Sequence, residues 1–200
     1  IGWGALMGIL KNYEVVNPFI SSSNDALNRL KPGFEAPVCI VGSIGHNVKS
    51  PSRNRTVLVG LVRDLSNPLA TRFEVRSPNP HSNTYLTLAA LYQAMMDGIQ
   101  ATVASGKSSR ELEKEFSKLP GEESFYLETG RAYRSEEDVF EHNTAEERNR
   151  LFGVPPATVW ENISAFDKFP EKTSILFRGD VFNKKLLHSF ITAARDNWVA

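Results

Sequence analysis

The spacing of apolar residues predicts a mixture of helices and strands in the first half of the chain. Residues 82–104 carry apolar side chains at intervals of three or four positions, the period of a helix that buries one face. Residues 2–10 are almost wholly apolar and predict a second helix. Three shorter segments rich in β-branched or apolar residues predict strands over residues 37–42, 55–62 and 71–76. The middle segment is apolar on both faces, so we expect it inside a sheet.

Turn-forming residues mark the boundaries of further elements near the start of the chain. Asn17-Pro18 is expected to break the helical pattern, because proline lacks the backbone N–H that a helix interior needs. Ser23 or Asn24 can cap a short helix that ends before Pro32-Gly33. A loop over residues 31–36 follows and carries Glu35.

The chain beyond Gly106 predicts helices joined by polar loops. Ser108 with Glu111 forms a capping box, in which each residue satisfies a backbone N–H near the other, and Thr144 with Glu147 forms a second one. Apolar residues at helical spacing near the C-terminal end predict a closing helix.

These patterns together predict an α+β fold in two parts. We expect residues 1–106 to form a mainly antiparallel sheet with helices on one face, and residues 107–200 to form a helical subdomain. Five aromatic residues of the second part are expected to pack against the core, or alternatively to form an interface: Trp160, Phe166, Phe169, Phe177 and Phe182.

Composition excludes several classes of partner. The chain has 23 basic and 23 acidic residues, so its zero net charge argues against nucleic acid or a membrane surface, and any anion site must be a local cluster. The single cysteine, Cys39, lies in an apolar segment and is expected to be a small buried hydrophobe in a reducing compartment. Because we find neither a signal peptide nor an apolar run of ~18 residues, we expect a cytoplasmic protein.

One predicted strand carries a pattern with chemical meaning. Side chains alternate across a strand, so Arg72, Glu74 and Arg76 project to one face about 6–7 Å apart, while Phe73 and Val75 face the other. A salt-bridged outer surface of an edge strand is the alternative interpretation. A carboxylate between two guanidinium groups also suits a site that holds a divalent metal beside phosphates, since hard cations take oxygen ligands and arginine binds phosphate oxygens in bidentate fashion.

Five motifs, in this order, closely resemble the glutamine synthetase family. They are Asn28-Arg29-Leu30-Lys31-Pro32-Gly33-Phe34-Glu35-Ala36-Pro37, Arg53-Asn54-Arg55, Arg72-Phe73-Glu74-Val75-Arg76-Ser77-Pro78-Asn79-Pro80, Asn83-Thr84-Tyr85-Leu86 and Asp97-Gly98-Ile99. The resemblance is dense over residues 10–99 and faint beyond. The long helical tail is similar to that of the larger, divergent bacterial branch of the family.

The resemblance implies an ATP-dependent ligation of ammonia to glutamate through γ-glutamyl phosphate, with Mg²⁺ or Mn²⁺ as metal. It implies one role for each matching residue: Arg29 and Arg76 bind substrate carboxylates, Arg55 stabilises the transferring phosphoryl group, Arg72 contacts nucleotide phosphate, Glu74 binds metal, and Glu35 is the flap glutamate that helps to take a proton from ammonium. It also implies a homo-oligomeric ring with sites between subunits.

This chain departs from the family at Gly60, where the family has an arginine, another phosphate contact, five residues after Arg55. The family's other metal ligands precede the matched region, so we expect the 200 residues alone to be inactive. Two alternatives stay open: a γ-glutamyl polyamine ligase of the same fold, and a non-catalytic assembly module. The retained flap motif favours ammonium over an amine, and the retained arginines argue against a non-catalytic protein.

Overall fold

A computed structural model of the chain describes residues 1–32, 36–47 and 49–199. Within these residues the helices are α1 (Gly2–Lys11), α2 (Tyr13–Ile20), α3 (Asn24–Asn28), α4 (Thr84–Ser105), α5 (Ser109–Phe116), α6 (Val139–His142), α7 (Ala145–Glu147), α8 (Val159–Lys168), α9 (Pro170–Ser174) and α10 (Lys184–Trp198). The strands are β1 (Cys39–Ser43), β2 (Val57–Val62) and β3 (Arg72–Val75). The α+β class predicted from the sequence is confirmed.

The described strands form one sheet in the order β1-β2-β3. β2 pairs with β3 in antiparallel fashion but with β1 in parallel fashion, so this sheet is mixed rather than mainly antiparallel. The parallel pair arises because residues 44–56 return the chain to the same end of the sheet before β2 begins, the kind of long connection that parallel strands require. β2 is the central strand, as its two apolar faces predicted.

Most predicted element boundaries lie close to the observed ones, with one clear error. The predicted break at Asn17-Pro18 is wrong, because α2 continues through Pro18 to Ile20. The helical pattern is instead interrupted at Asn12, which stands between α1 and α2 with φ −100° and ψ 12°. Proline removes only one hydrogen bond from this short helix, and every residue of α2 is buried, so packing outweighs the local penalty.

Helices α1 and α4 pack against each other through glycine. A Cβ on Gly98 would overlap the main-chain oxygen of Gly4, and one on Gly4 would lie 2.8 Å from the main-chain oxygen of Gly98. The two backbones therefore approach more closely than alanine would allow. Leu61 and Phe73, which are paired across β2 and β3, belong to the same hydrophobic cluster as side chains of both helices. Cys39 is buried as predicted, and burial raises its thiol pKa to about 12.

Residues beyond 106 share the main hydrophobic core with residues before it. The ring of Phe19 lies 5.6 Å from Phe166, 4.9 Å from Phe182 and 4.6 Å from Phe190, between centroids. Of the five aromatic residues named above, Phe166 and Phe182 are buried in this core and Phe169 and Phe177 pack against it, whereas Trp160 is 52% exposed. Packing against the core is thus confirmed for four of them.

Within the described residues, the structure contains no helix long and apolar enough to cross a membrane. The proposed division of the chain at residue 106 stays a prediction.

Candidate active site

The charged face of β3 is arranged as its alternation predicted. Phe73 and Val75 pack against the core, while Arg72 and Glu74 are exposed on the opposite face. Glu74 stands directly across from Gly60 of β2 in the antiparallel register. Since paired residues on neighbouring strands project to the same side, the space beside the Glu74 carboxylate carries no side chain from β2.

A cavity of about 480 Å³ opens over this face. It is lined by the loop that precedes β2, through Arg53 and Arg55, and by Glu74 and Arg76 of the β3 segment. Arg76 extends the pairing beyond β3, because its N–H donates to the main-chain oxygen of Leu58 at 2.9 Å, and its guanidinium donates to the main-chain oxygen of Arg55. Three arginines and one glutamate therefore line the cavity, which gives it an excess of positive charge in a chain of zero net charge.

The other predicted site residues lie apart from this group. Arg72 donates to the main-chain oxygen of Ala70 at 3.2 Å, and its guanidinium lies 3.9 Å from the Glu74 carboxylate in an exposed ion pair. Arg29 is the exposed C-cap of α3. Neither arginine is among the described residues that line the cavity. Glu35 falls outside the residues that the structure describes.

A salt-bridged outer surface was the alternative interpretation of this strand, and part of it is observed. β3 is at the edge of the described sheet, and Arg72 with Glu74 forms the exposed pair just described. That interpretation does not account for Arg55 and Arg76 lining one cavity with Glu74.

The loop that carries Arg53 and Arg55 is fixed by the second half of the chain. Asn54, between the two arginines, donates to the main-chain oxygen of Glu137 at 2.6 Å. Its carbonyl oxygen accepts hydrogen bonds from the backbone N–H and the hydroxyl of Thr56, at 2.9 and 2.6 Å. The Thr56 hydroxyl in turn accepts from the Val139 N–H at 3.2 Å. These bonds set the position of the loop over the sheet.

Glu136 holds the loop after β1 in a similar way. Its carboxylate accepts hydrogen bonds from the Ser43 hydroxyl at 2.5 Å, from the Ile44 and Gly45 N–H groups at 3.1 and 2.8 Å, and from the Arg134 Nε at 2.7 Å. Burial opposes ionisation of this carboxyl, but the hydrogen bonds outweigh it, so the pKa of Glu136 is lowered.

Neither Glu136 nor the role of Asn54 was found from the sequence. Asn54 stands between the two arginines of one motif, and Glu136 lies in a polar loop with no distinguishing local pattern. Both act through contacts more than 80 residues apart, which no local signal reports.

A second cavity, of about 520 Å³, lies on the other side of the same loop. Arg53 and Arg55 line both cavities. The second cavity is also lined by His46 and Lys49. The Nε2 atom of His46 lies 3.5 Å from a carboxylate oxygen of Glu137. The His46 side chain is 62% exposed.

Two of the five motifs support the fold rather than the cavity. Asn83 is the N-cap of α4 and accepts hydrogen bonds from the N–H groups of Tyr85 and Leu86. Asp97 joins three elements, since its carboxylate accepts from Asn12 at 3.1 Å, from the Tyr126 hydroxyl at 2.7 Å and from Arg178 at 2.5 Å. These two motifs therefore contribute to the packing of the fold.

A single carboxylate in the cavity can supply one oxygen ligand to a hard cation. Glu74 is exposed and lines the cavity together with Arg53, Arg55 and Arg76, which suits a metal that also contacts phosphate. Among the described residues there is no group of three histidine, cysteine, aspartate or glutamate side chains that could hold a metal ion.

Comparison with known proteins decides the family. The profile described as "Glutamine synthetase, catalytic domain" matches residues 3–133, well over half of the chain. The chain belongs to the glutamine synthetase family. Glutamine synthetase of Azospirillum brasilense is 30% identical over 193 residues, which are 96% of this chain and 32% of that protein. Glutamine synthetase of Pseudomonas aeruginosa is 38% identical over 117 residues, 58% of this chain and 22% of that protein.

The fold is also that of a glutamine synthetase. A cryo-EM structure titled as Plasmodium falciparum glutamine synthetase superposes with a TM-score of 0.64 at 20% identity, covering 97% of this chain and 37% of that one. At this identity the likeness concerns the fold alone. The chain spans about a third or less of the length of the glutamine synthetases to which it was compared above.

Proposed function

We propose that this chain supplies the C-terminal part of a glutamine synthetase active site, and that the protein to which it contributes is a glutamate–ammonia ligase. The observation that carries the proposal is that Arg55, Glu74 and Arg76 line one positive cavity in a member of this family. Each is a residue to which the motif resemblance gave a role, and β2 with its preceding loop and β3 bring them together.

The proposed reaction has two steps. The γ-carboxylate of glutamate attacks the γ-phosphorus of ATP and releases ADP, and ammonia then displaces inorganic phosphate from γ-glutamyl phosphate to form glutamine. Arg55 stabilises negative charge on the phosphoryl oxygens while they move, which is the main demand of phosphoryl transfer. Arg76 holds the substrate carboxylate and the same phosphoryl group, a task suited to a planar guanidinium.

The metal, Mg²⁺ or Mn²⁺, would be held in part by Glu74. When bound, it neutralises charge between the nucleotide and glutamate. The carboxylate and guanidinium groups of this chain then orient the two substrates and counter the remaining phosphate charge. Because the described residues offer no further cluster of metal ligands, we propose that the 200 residues alone do not synthesise glutamine.

Three residues complete the proposal. Arg29 would bind the α-carboxylate of glutamate, and its exposed position leaves it accessible to a ligand. Arg72, beside Glu74, would contact nucleotide phosphate. Glu35 would act from a flap that takes a proton from ammonium and shields the intermediate.

Several broader features stay predictions. They are cytoplasmic location, assembly as a homo-oligomer, membership of the larger bacterial branch, and a boundary at residue 106 between the catalytic-domain part and the helical extension.

The proposal is tested by replacing Arg55 in a protein that carries the complete catalytic domain. Losing one phosphoryl contact should raise the barrier by about 3 kcal/mol, so Arg55→Ala should lower ammonium-dependent glutamine formation by roughly 100-fold. Arg110→Ala is the matched control, because Arg110 is exposed on α5 and lines a different cavity. Unchanged activity of a folded Arg55→Ala enzyme would contradict the proposal.

The same assay separates the alternatives. Turnover with ammonium supports glutamine synthetase, whereas a preference for putrescine would indicate a γ-glutamyl polyamine ligase. A non-catalytic assembly module would consume no ATP with either ammonium or putrescine.

A further inference from the structure

Gly60 leaves part of the candidate active site without a side chain. It lies in β2 opposite Glu74 and lines the same cavity. A Cβ built on Gly60 meets no atom within 4 Å, so the space above it is open rather than filled by a neighbour. A phosphate bound beside Glu74 would therefore receive no hydrogen bond from a side chain at position 60. The glutamine synthetase pattern has an arginine at this position.

Arg53 also lines this cavity, from the loop before β2, two residues before Arg55. Its side chain is exposed, and within the residues that the structure describes it makes no hydrogen bond or ion pair. By contrast, the guanidinium of Arg76 already donates to the Arg55 main-chain oxygen. The donors of Arg53 are thus available to a ligand, and a guanidinium offers five of them in a planar array that fits phosphate oxygens.

The backbone position of Arg53 is fixed by hydrogen bonds of the neighbouring residue Asn54, since the Arg53 side chain itself makes none among the described residues. Its neighbour Asn54 is anchored to the main-chain oxygen of Glu137 and to Thr56. The backbone of the loop is therefore held over the sheet, and the ordering cost of binding falls mainly on the Arg53 side chain.

We propose that Arg53 is a polyphosphate-binding residue that supplies, from the loop before β2, the positive charge that Gly60 does not supply from the sheet. Its ligand is the polyphosphate group of a nucleoside triphosphate, and the nucleoside part of this assignment rests on the function proposed above. Three guanidinium groups around one carboxylate then remain in the cavity despite the glycine in β2.

The test is calorimetric titration of the 200-residue chain with tripolyphosphate at low ionic strength, where a charge contact is least screened. Arg53→Ala should weaken binding about tenfold, the usual effect of losing one charge-assisted hydrogen bond. The double variant Arg53→Ala with Gly60→Arg should regain binding to within about threefold of the unmodified chain, because the new side chain enters open space in the same cavity.

Two further variants keep the test sharp. Lys49→Ala removes one positive charge from the second cavity only, so it should change the affinity by less than about twofold. Arg53→Lys retains charge but not the planar array of donors and should fall between Arg53→Ala and the unmodified chain. Thermal unfolding followed by circular dichroism verifies that each variant is folded.

The inference is overturned if tripolyphosphate does not bind the unmodified chain, if Arg53→Ala behaves like Lys49→Ala, or if Gly60→Arg restores nothing. Glutamine formation is a separate readout. If the complete enzyme makes no glutamine but the Arg53 variants behave as expected, the proposed ligase function is wrong and the anion site at Arg53 is still supported.

Discussion

The side-chain amide of Asn54 donates a 2.6 Å hydrogen bond to the main-chain oxygen of Glu137, 83 residues further along the chain. This bond ties the loop of Arg53 and Arg55 to a segment that belongs to the helical second half. The segment contributes no motif of the family resemblance. It nevertheless decides where two arginines of the candidate active site lie, so the second half of the chain is part of the machinery that positions the site.

Removing this anchor should loosen the site and destabilise the fold. Asn54→Ala eliminates the bonds to Glu137 and Thr56 and leaves partly buried groups without partners. We expect the free energy of unfolding to fall by about 1–3 kcal/mol. Urea denaturation measures this change. Asn149→Ala is the control, since Asn149 is exposed and bonds only within its own helical turn, and its effect should stay below about 0.5 kcal/mol.

Glu136 should make stability sensitive to acid. Its pKa is lowered in the folded state, so the unfolded state binds the proton more readily, and the stabilisation is present above the ordinary value of 4.5. It is lost as the pH falls through the lowered folded pKa. Glu136→Gln should therefore destabilise the protein at neutral pH, and the difference from the unmodified protein should shrink below pH 4.5.

Chemical denaturation at a series of pH values measures this convergence. Glu141→Gln is the control for the loss of one negative charge, because Glu141 is exposed and lines the same cavity of about 520 Å³ as Glu136. A gap between Glu136→Gln and the unmodified protein that stays constant from pH 7 to about pH 3 would contradict the assigned hydrogen bonds.

Two glycines should respond in opposite ways to alanine. Gly98→Ala places a Cβ against the main-chain oxygen of Gly4, where backbone must shift, so we expect a loss of at least about 2 kcal/mol in the free energy of unfolding. Gly60→Ala enters open space and should be neutral or slightly stabilising. Equal effects of the two substitutions in thermal denaturation would mean that the α1–α4 contact is looser than described.

A buried ion cluster joins the two halves of the chain. Lys172 lies 3.0 Å from a carboxylate oxygen of Glu14 and 2.9 Å from one of Glu128, and its side chain is only 10% exposed. Burial opposes ionisation of Glu128, but the charge and hydrogen bond of Lys172 contribute to a lowered pKa for that carboxyl. Lys172→Met should cost about 3 kcal/mol, because the partner carboxylates stay buried with one cation fewer.

The exposed Lys168→Met should have little effect by comparison. Because the core is shared, the loss from Lys172→Met should appear in a single unfolding transition followed by both near- and far-ultraviolet circular dichroism. Two separate transitions would instead support independent folding of residues 107–200.

The local elements of the fold were predictable from short-range patterns in the amino-acid sequence. Helix α4, the capping box at Ser108, the central position of β2 and the alternation along β3 were predicted because they depend on side-chain period and short-range hydrogen bonds. The family followed from ordered motifs and was then established by the profile match. Pro18 was misjudged because the burial of α2, a tertiary effect, overrides its local penalty.

Which of those residues come together depends on contacts made in the tertiary fold. In the structure, Arg53 and Arg55 line the same cavity as Glu74, whereas Arg29 is not among the described residues that line it. Strand β1 pairs with β2 in parallel. These outcomes depend on contacts between distant segments, such as Asn54 with Glu137. Such contacts are selected by the packing of the whole core, and no short stretch of sequence contains the information that specifies them.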